Sequence, residues 1–455
     1  MIMKLTLILP AIGKIKGEKY MRAWQMEPLS IAQLSALTPA DVQITFFDDR
    51  MEEIDYDYPT DLVAISVETY TARRAYQIAN RYKKKGIPVV MGGFHASLCP
   101  EEILDYADSV VIGEAEGVWK TVIEDFKKGE LKQKYRKFIS FGDYDIIPDR
   151  SIYDGKDYLK ITLLEAGRGC RFRCDFCSIH NVFNQRYTHR NIDSIVEEAK
   201  ILKDKNKLLF FVDDNICSDK TYSKKLFKEL IPLNIKWVGQ ADITIVQDEE
   251  LMELMKKSGC QGVLIGMESL DKEVLKKMNK SFNAGRIDPA QAVKKIQSFG
   301  LRLYLTFLFG YGNDSPEYAK KVLDFCIDNK IFMVGYNHLT PFPGTELYKS
   351  LEKNNRLIFE KWWLSQDYRY GLIPFKTKED NTMIENQSKR LRRKFYSLSS
   401  IFYRMTNLTN IRGKMMLGMY FLINFMLKND RGQRMRFPLG NPEEKQPVPN
   451  IKIDS

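Results

Sequence analysis

At 455 residues, with 44% hydrophobic and 28% charged side chains, the chain is long enough for two or three separately cored domains and too apolar for a disordered protein. Seven cysteines, four of them isolated (Cys99, Cys217, Cys260, Cys326), do not form a disulfide pattern and point to a reducing compartment and a metal site. The net charge of +11 is concentrated, because residues 386–436 carry twelve Lys or Arg against one acid, Asp430, and the rest is close to neutral.

In chain order, "LTLILPAI" (5–12), "VQITFFDD" (42–49), "LVAISVE" (62–68), "PVVMGG" (88–93) and "SVVIGE" (109–114) read as buried parallel strands. Helical patterns at 28–37, 72–86 and 117–129 fall between them. This alternation predicts a doubly wound, Rossmann-like α/β domain over 1–135, with ligands beyond the carboxyl ends of its strands. A polar, Asp-rich linker is expected at 136–157. From residue 158 the alternation restarts, with strands expected in 158–166, 208–214, 235–242, 262–269, 301–310 and 333–341. Six such units suit a partial or full α/β barrel over 158–350, whose chemistry sits on the loops after its strands. Residues 351–440 read as a basic, aromatic, helical C-terminal extension, and the Pro-rich 441–455 as a disordered tail.

The stretch "EAGRGCRFRCDFCS" (165–178) follows the first barrel strand and packs Cys170, Cys174 and Cys177 into eight residues. Three readings fit that spacing. His180 could complete a structural zinc site, a distant cysteine could complete a four-thiolate iron–sulfur cluster, or a fourth metal position stays open for a reacting molecule. Isolated cysteines without a partner motif argue against the second, and a large barrel needs no metal staple.

The spacing C-x3-C-x2-C, with aromatic Phe176 just before the third cysteine, resembles the radical S-adenosylmethionine (SAM) superfamily. The resemblance implies a [4Fe–4S] cluster held by Cys170, Cys174 and Cys177, with SAM on the open iron and cleaved to a 5′-deoxyadenosyl radical. It extends in order over about 158–348. "FFVDDNIC" (210–217) resembles the segment near the SAM amine, implying roles for Asp213 and Asp214, which otherwise read as a solvated turn. "KWVGQAD" (236–242) offers Gln240. "GCQGVLIGMES" (259–269) resembles the strand facing the adenine, implying contacts from Gly262, Gly266 and Glu268. "FLFGYGNDSPE" (307–317) and "LTPFPGTELY" (339–348) match late-barrel segments of one branch.

With its preceding α/β domain, the chain resembles the cobalamin (B12)-binding branch, which includes hopanoid methylases and tetrapyrrole-modifying enzymes. "GGFHASLCPEEILDYADSVVIGEAEGVW" (92–119) is similar to the later half of that domain and implies cobalamin contacts from Gly92, Gly93, His95 and Gly113. No D-x-H-x-x-G motif occurs, so His95 is expected to cap its loop or to hydrogen-bond, with no histidine below the cobalt. The implied activity is methylation of an unactivated carbon, in which one SAM methylates cobalamin and a second yields the radical. Cyclisation, oxidation or carbon–carbon coupling without methyl transfer is the alternative. A zinc-stapled module binding nucleic acid or membrane is the reading from another class.

The resemblance further implies a hydrophobic small-molecule, lipid-like or isoprenoid substrate and an external electron donor of flavodoxin or ferredoxin type. The expected location is the cytoplasm. Residues 415–427 form a thirteen-residue apolar run beside the cationic segment, too short to span a bilayer. They suggest peripheral contact of 386–436 with the inner membrane face. The lack of a second cysteine trio and the helical C-terminus argue against the nucleic-acid substrates of the tRNA methylthiotransferases.

Overall fold

The structure is a computed structural model that describes residues 2–15, 25–137, 145–183, 186–203, 208–284, 288–429, 436–444 and 449. Six parallel strands form the first sheet: β1 (Met3–Leu9), β2 (Val42–Asp48), β3 (Leu62–Ser66), β4 (Val89–Gly92), β5 (Ser109–Ile112) and β6 (Lys134–Arg136), in the order β2-β1-β3-β4-β5-β6. Their apolar runs are continuous because both faces are covered. Leu5, Leu7, Val90 and Val111 pack with Trp119 and Ile31 on one side. Val63, Ile65, Val89 and Met91 pack with helix Ala72–Lys83 on the other. Strand order reverses between β1 and β3, which opens a crevice beyond their carboxyl ends.

The second sheet comprises β7 (Thr162–Leu164), β10 (Leu209–Phe211), β11 (Trp237–Ala241), β12 (Cys260–Glu268), β13 (Arg302–Phe309) and β14 (Met333–His338), all parallel and adjacent in chain order. Two short antiparallel strands, β8 (Gly167–Arg168) and β9 (Thr188–His189), clasp the segment between them. The burial pattern alternates along β11, β12 and β13: Val263, Ile265, Leu303 and Leu305 are fully packed under helices. Their neighbours Val238, Gln240, Leu264, Tyr304 and Thr306 are only half-buried and face the opposite way. That face is turned away from the helices, on the inner side of an open six-stranded sheet rather than inside a closed eight-stranded barrel.

Several stretches outside the sheets tie the two halves together. In the expected linker, Tyr153 is buried in the first domain's core while Arg150 bonds Glu198 (2.8 Å) and the Leu163 carbonyl (2.7 Å) of the barrel. Residues 138–144 of that linker lie outside the described residues. The 351–440 stretch does not form one separate unit. Trp362, Trp363, Tyr368 and Leu439 are buried in the first domain's core, whereas Ile384, Leu391, Phe395 and Tyr396 complete the barrel's. The Tyr396 hydroxyl accepts from the Val334 N–H (3.1 Å) and donates to its carbonyl (3.0 Å), closing the edge of β14. Arg404, fully buried, donates to the carbonyls of Ile331, Phe332 and Phe395 and to Asn424. At the start of the expected disordered tail, the Asn441 N–H donates to Gln77 and Glu444 pairs with Arg74 (2.7 Å), because buried Arg74 and Gln77 need partners there. Residues 445–448 and 450–455 of the tail lie outside the described residues.

Glu102 is the polar centre of the first domain's junction with the aromatic segment. It receives hydrogen bonds from Tyr76 (2.9 Å), the Trp363 indole (2.9 Å) and Lys361 (2.9 Å), and meets His95 at 3.1 Å. Burial raises its pKa, but the His95, Lys361 and Trp363 bonds outweigh that and hold it at about 2. A carboxyl depressed in the folded state stabilises fully above its ordinary value of 4.5, and that contribution is lost as pH falls towards 2. Glu102→Gln is expected to cost about 2–3 kcal/mol at neutral pH. In paired thermal melts the gap to wild type shrinks between about pH 5 and about pH 3. A gap independent of pH would contradict this account.

Candidate active site

The three cysteines sit in the loop held by the β8–β9 clasp, at the carboxyl end of β7. Cys174 is buried, and Cys170 and Cys177 are half-buried. The loop is fastened at both ends. Asp213 and Asp214, at the end of β10, accept from the Ala166 N–H (3.0 Å) and the Gly169 N–H (2.9 Å). On the far side the Asp175 N–H donates to the Met278 carbonyl, Tyr311 donates to the Asp175 carboxylate, and Asn279 donates to the Arg173 carbonyl (2.7 Å). The aspartates are therefore not a solvated turn; they anchor the cysteine loop.

Burial pushes the Cys174 thiol up to about 11 against the lowering effect of the Lys280 charge, and that of Cys177 up to about 12 against a hydrogen bond from the Ile179 backbone. Burial also raises Cys170, offset by hydrogen bonds from the Phe172 backbone and the Ser218 and Asn215 side chains. Such thiols stay protonated until a metal displaces the protons. Among the described residues no three His, Cys, Asp or Glu side chains converge on one ion. Thiolates of an iron–sulfur cluster each hold a different iron and need not converge in that way.

Lys280 was not legible in the sequence. Its ammonium bonds Glu268 at 2.8 Å and lies over the Phe176 ring at 5.9 Å. Burial lowers its pKa, but Glu268 and the thiols of Cys174 and Cys177 outweigh that and raise it. It is a fixed positive charge beside Cys174 and Cys177. Glu268 occupies a left-handed conformation (φ 60°) where the β12–β13 register shifts, a strained end that turns its carboxylate towards Lys280. Gly266 stands beside this pair, and a Cβ there would overlap the Glu268 carboxylate. Gln240 lies on the inner face of the sheet and donates to the Asp213 carbonyl at 3.4 Å. Asp213, Asp214, Gln240, Gly266 and Glu268 thus gather at the strand ends around the cysteine loop. Gly262 does not: it lies buried near the other end of β12, against the Arg302 backbone. Asp213 Oδ1 is buried and has no hydrogen-bond partner among the described residues, and burial pushes the carboxyl well above its usual range; a ligand donor such as an amine would supply the missing partner and favour the ionised form.

On the facing domain, Gly92 ends β4 and Gly113 follows β5. Gly93 is left-handed (φ 106°), and a Cβ there would come 2.8 Å from the Val67 carbonyl oxygen, so only glycine fits. Gly113, Glu114, Ser97, Asn181, Val182 and Phe183 line a cleft between the first sheet and the short helix after the cysteines. Glu68, just past β3, is accessible to solvent yet enclosed by protein, which pushes its carboxyl up to about 7. His95, expected among the cobalamin contacts, is turned away from the cleft. It is fully buried, with its ring nitrogens bonded to Thr69 (3.3 Å), Tyr76 (3.2 Å) and Glu102 (3.1 Å). The buried Tyr76–Glu102 pair requires a partner inside the core, and His95 supplies it.

An acid raised in the folded state is penalised above its raised value, and the penalty is relieved as pH falls through about 7 towards 4.5. In cofactor-free protein Glu68→Gln therefore raises stability only slightly at about pH 8, because Glu68 is exposed and solvent screens most of the penalty. Near pH 4 the difference vanishes in the same melts.

A doubly wound sheet with an open crevice, set against a partial barrel whose first strand leads into three cysteines with no fourth, defines a radical SAM protein with a cobalamin-binding type of domain. Comparison with known proteins agrees. The radical SAM superfamily profile matches residues 164–326, and the B12-binding domain profile matches 25–123. The chain is 30% identical to the bacteriochlorophyllide d C-12(1)-methyltransferase of Chlorobaculum tepidum over 88% of each chain. It is also 30% identical to that organism's bacteriochlorophyllide d C-8(2)-methyltransferase, over 73% of this chain and 78% of the relative. A solved structure of the radical SAM methyltransferase TsrM from Kitasatospora setae, with cobalamin and a [4Fe–4S] cluster bound, shares the fold, with a TM-score of 0.60 at 16% identity over 85% of this chain and 82% of TsrM.

The chain belongs to the radical SAM superfamily, in its B12-dependent methyltransferase family. Its two domains imply a [4Fe–4S] cluster, SAM and cobalamin as cofactors, and enzymes of this superfamily need a reductant. This overturns the zinc-stapled binding module. The buried thiols, the free Asp213 oxygen and the glycine-edged cleft suit those groups.

Proposed function

We propose that this enzyme methylates an unactivated carbon of a large, flat, apolar substrate of the tetrapyrrole class, rather than a linear isoprenoid lipid. The observation that carries this reading is the 30% identity to a bacteriochlorophyllide methyltransferase across 88% of both chains, first domain and C-terminal segment included. When bound, the cluster supplies one-electron cleavage of SAM, and cobalamin carries the methyl group. Cys170, Cys174 and Cys177 hold the cluster. Lys280 offsets the negative charge of the Cys174 and Cys177 thiolates, and Asp213 and Asp214 keep the loop fixed at the strand ends. The free Asp213 oxygen receives the SAM amine, Gln240, Gly266 and Glu268 border the same pocket, and Gly92, Gly93 and Gly113 let the first domain's backbone approach the corrin. Half-buried Leu264, Tyr304 and Thr306 lie on the inner face of the sheet, where the acceptor would meet the barrel.

The test uses reconstituted enzyme, methyl-deuterated SAM, a chemical reductant and two acceptors, a magnesium chlorin and a polyprenyl lipid. Label transferred to the chlorin, with S-adenosylhomocysteine and 5′-deoxyadenosine formed together, supports the proposal. Label on the lipid alone overturns the substrate class. Chlorin converted with 5′-deoxyadenosine but no S-adenosylhomocysteine overturns methylation in favour of cyclisation or oxidation.

A further inference from the structure

Thirteen large apolar side chains are exposed among the described residues, and eight of them lie between Leu398 and Met426. They fall on two helices, Leu398–Met405 and Lys414–Asn429, and on the short helix between them. Helix Lys414–Asn429 buries Tyr420, Asn424 and Leu427 against the protein and turns Leu417, Leu422 and Met426 outward. A helix facing water carries polar residues on that side; this one reverses the pattern. Half-buried rings link the two helices: exposed Phe402 meets Phe421 at 5.7 Å, and Phe421 stacks on Phe425 at 5.8 Å. The short helix adds Leu408, 74% exposed.

Exposed cations adjoin these helices along the chain: Arg390, Arg393 and Lys394 on the preceding helix Asn381–Phe395, and Arg412 and Lys428 at helix ends. Residues 386–429 contain no Asp or Glu. No helix among the described residues is long and apolar enough to cross a membrane.

We propose that this face docks flat on an anionic phospholipid surface, with Phe402, Leu408, Leu417, Leu422 and Met426 entering the headgroup–acyl boundary and the flanking cations meeting lipid phosphates. A second copy of the chain is the wrong occupant, because it would set one group of cations against another with no carboxylates between them. Nucleic acid would engage the cations but leave the apolar centre unmatched. The inference is independent of the substrate, since it is tested with no methyl acceptor present.

Full-length holoenzyme is floated with phosphatidylcholine vesicles with or without about one-third phosphatidylglycerol. It binds the anionic vesicles and is released by high salt. Two variants separate the contributions: Leu417→Ser/Leu422→Ser/Met426→Ser and Arg393→Glu/Lys394→Glu. Each surface cation is worth about fivefold in affinity, so the charge variant weakens binding by at least about twentyfold, and the apolar variant does so with no change in its melting curve. If the apolar variant melts early, the charge variant decides alone. Failure to bind anionic vesicles, equal binding to neutral ones, or a dimer in sedimentation that the apolar substitutions dissociate would each overturn the proposal.

Discussion

Cys174→Ala is expected to abolish SAM cleavage while the chain still folds. Cys174 is the buried member of the three, and its thiol lies close enough to Lys280 for each to perturb the other's proton affinity. Loss of one of three thiolates leaves the cluster two ligands, and cleavage of SAM drops by more than the roughly 10–100-fold that follows from altering a residue behind the ligands. The cost in stability is small, about 1 kcal/mol, because sulfur is replaced by a space smaller than a methylene pair and the loop keeps its Asp213, Asp214 and Met278 bonds. Lys280→Met is the matching control. Iron is retained, and activity falls about 10–100-fold because Glu268 loses its partner beside the cysteines. Iron content, melting temperature and 5′-deoxyadenosine formation measured on both variants distinguish ligand from neighbour. Cleavage retained in Cys174→Ala would remove the basis of the assignment.

The strands were legible where both faces are buried. Val63, Ile65, Val89 and Met91 stand in runs with no polar interruption, which only a doubly covered parallel strand requires. β6 was missed because "KYR" is three residues at a sheet edge, with only Tyr135 buried. Trp362, Trp363 and Tyr368 could be read as core or as an interfacial belt, because the surface that buries them belongs to a domain more than two hundred residues earlier. Burial of that kind depends on tertiary contact and leaves no period in the sequence.

The site divides along the same line. Cys170, Cys174, Cys177 and Phe176 lie in one short segment, and their spacing, which by itself left three metal sites open, is what carries the resemblance to the radical SAM superfamily. Asp213 and Asp214 were placed at the right strand end, but the backbone amides they accept from, at Ala166 and Gly169, come from the cysteine loop that follows β7. Lys280 is one of 70 Lys and Arg, with nothing local to single it out. Its role arises from a fold that brings the segment after β12 against the cysteine loop. His95 shows the reverse case. It lies in the segment resembling the cobalamin domain, yet the buried Glu102 carboxylate and Tyr76 hydroxyl pull its ring into the core. Sequence position placed it near the cleft, and side-chain partners decided against it.

Gly169→Ala is expected to cost the enzyme its cluster although it alters no ligand. Gly169 is left-handed (φ 87°) in the step between the β8 strand and Cys170. An alanine there bears roughly 1–2 kcal/mol of backbone strain. Its Cβ would also overlap the Arg186 carbonyl oxygen on the returning arm of the clasp, an obstruction of backbone that no rotamer change relieves. Overpacking of this kind adds about 1–3 kcal/mol, so the loop loses about 2–5 kcal/mol in total. The cheapest relief is to open the β8–β9 clasp and break the bond from the Gly169 N–H to Asp214, which lets Cys170 move away from Cys174 and Cys177. The barrel core beneath does not include Gly169 and stays folded. Purified Gly169→Ala should therefore melt as one folded protein with a modest loss of stability, bind iron poorly on reconstitution, and cleave no SAM. Gly155→Ala is the comparison. It is equally left-handed (φ 81°), but nothing lies within 4 Å of its Cβ position, so it bears the strain without the collision and keeps its iron. Equal iron loss in the two variants would assign the effect to general destabilisation, and loss confined to Gly169→Ala would assign it to the clasp.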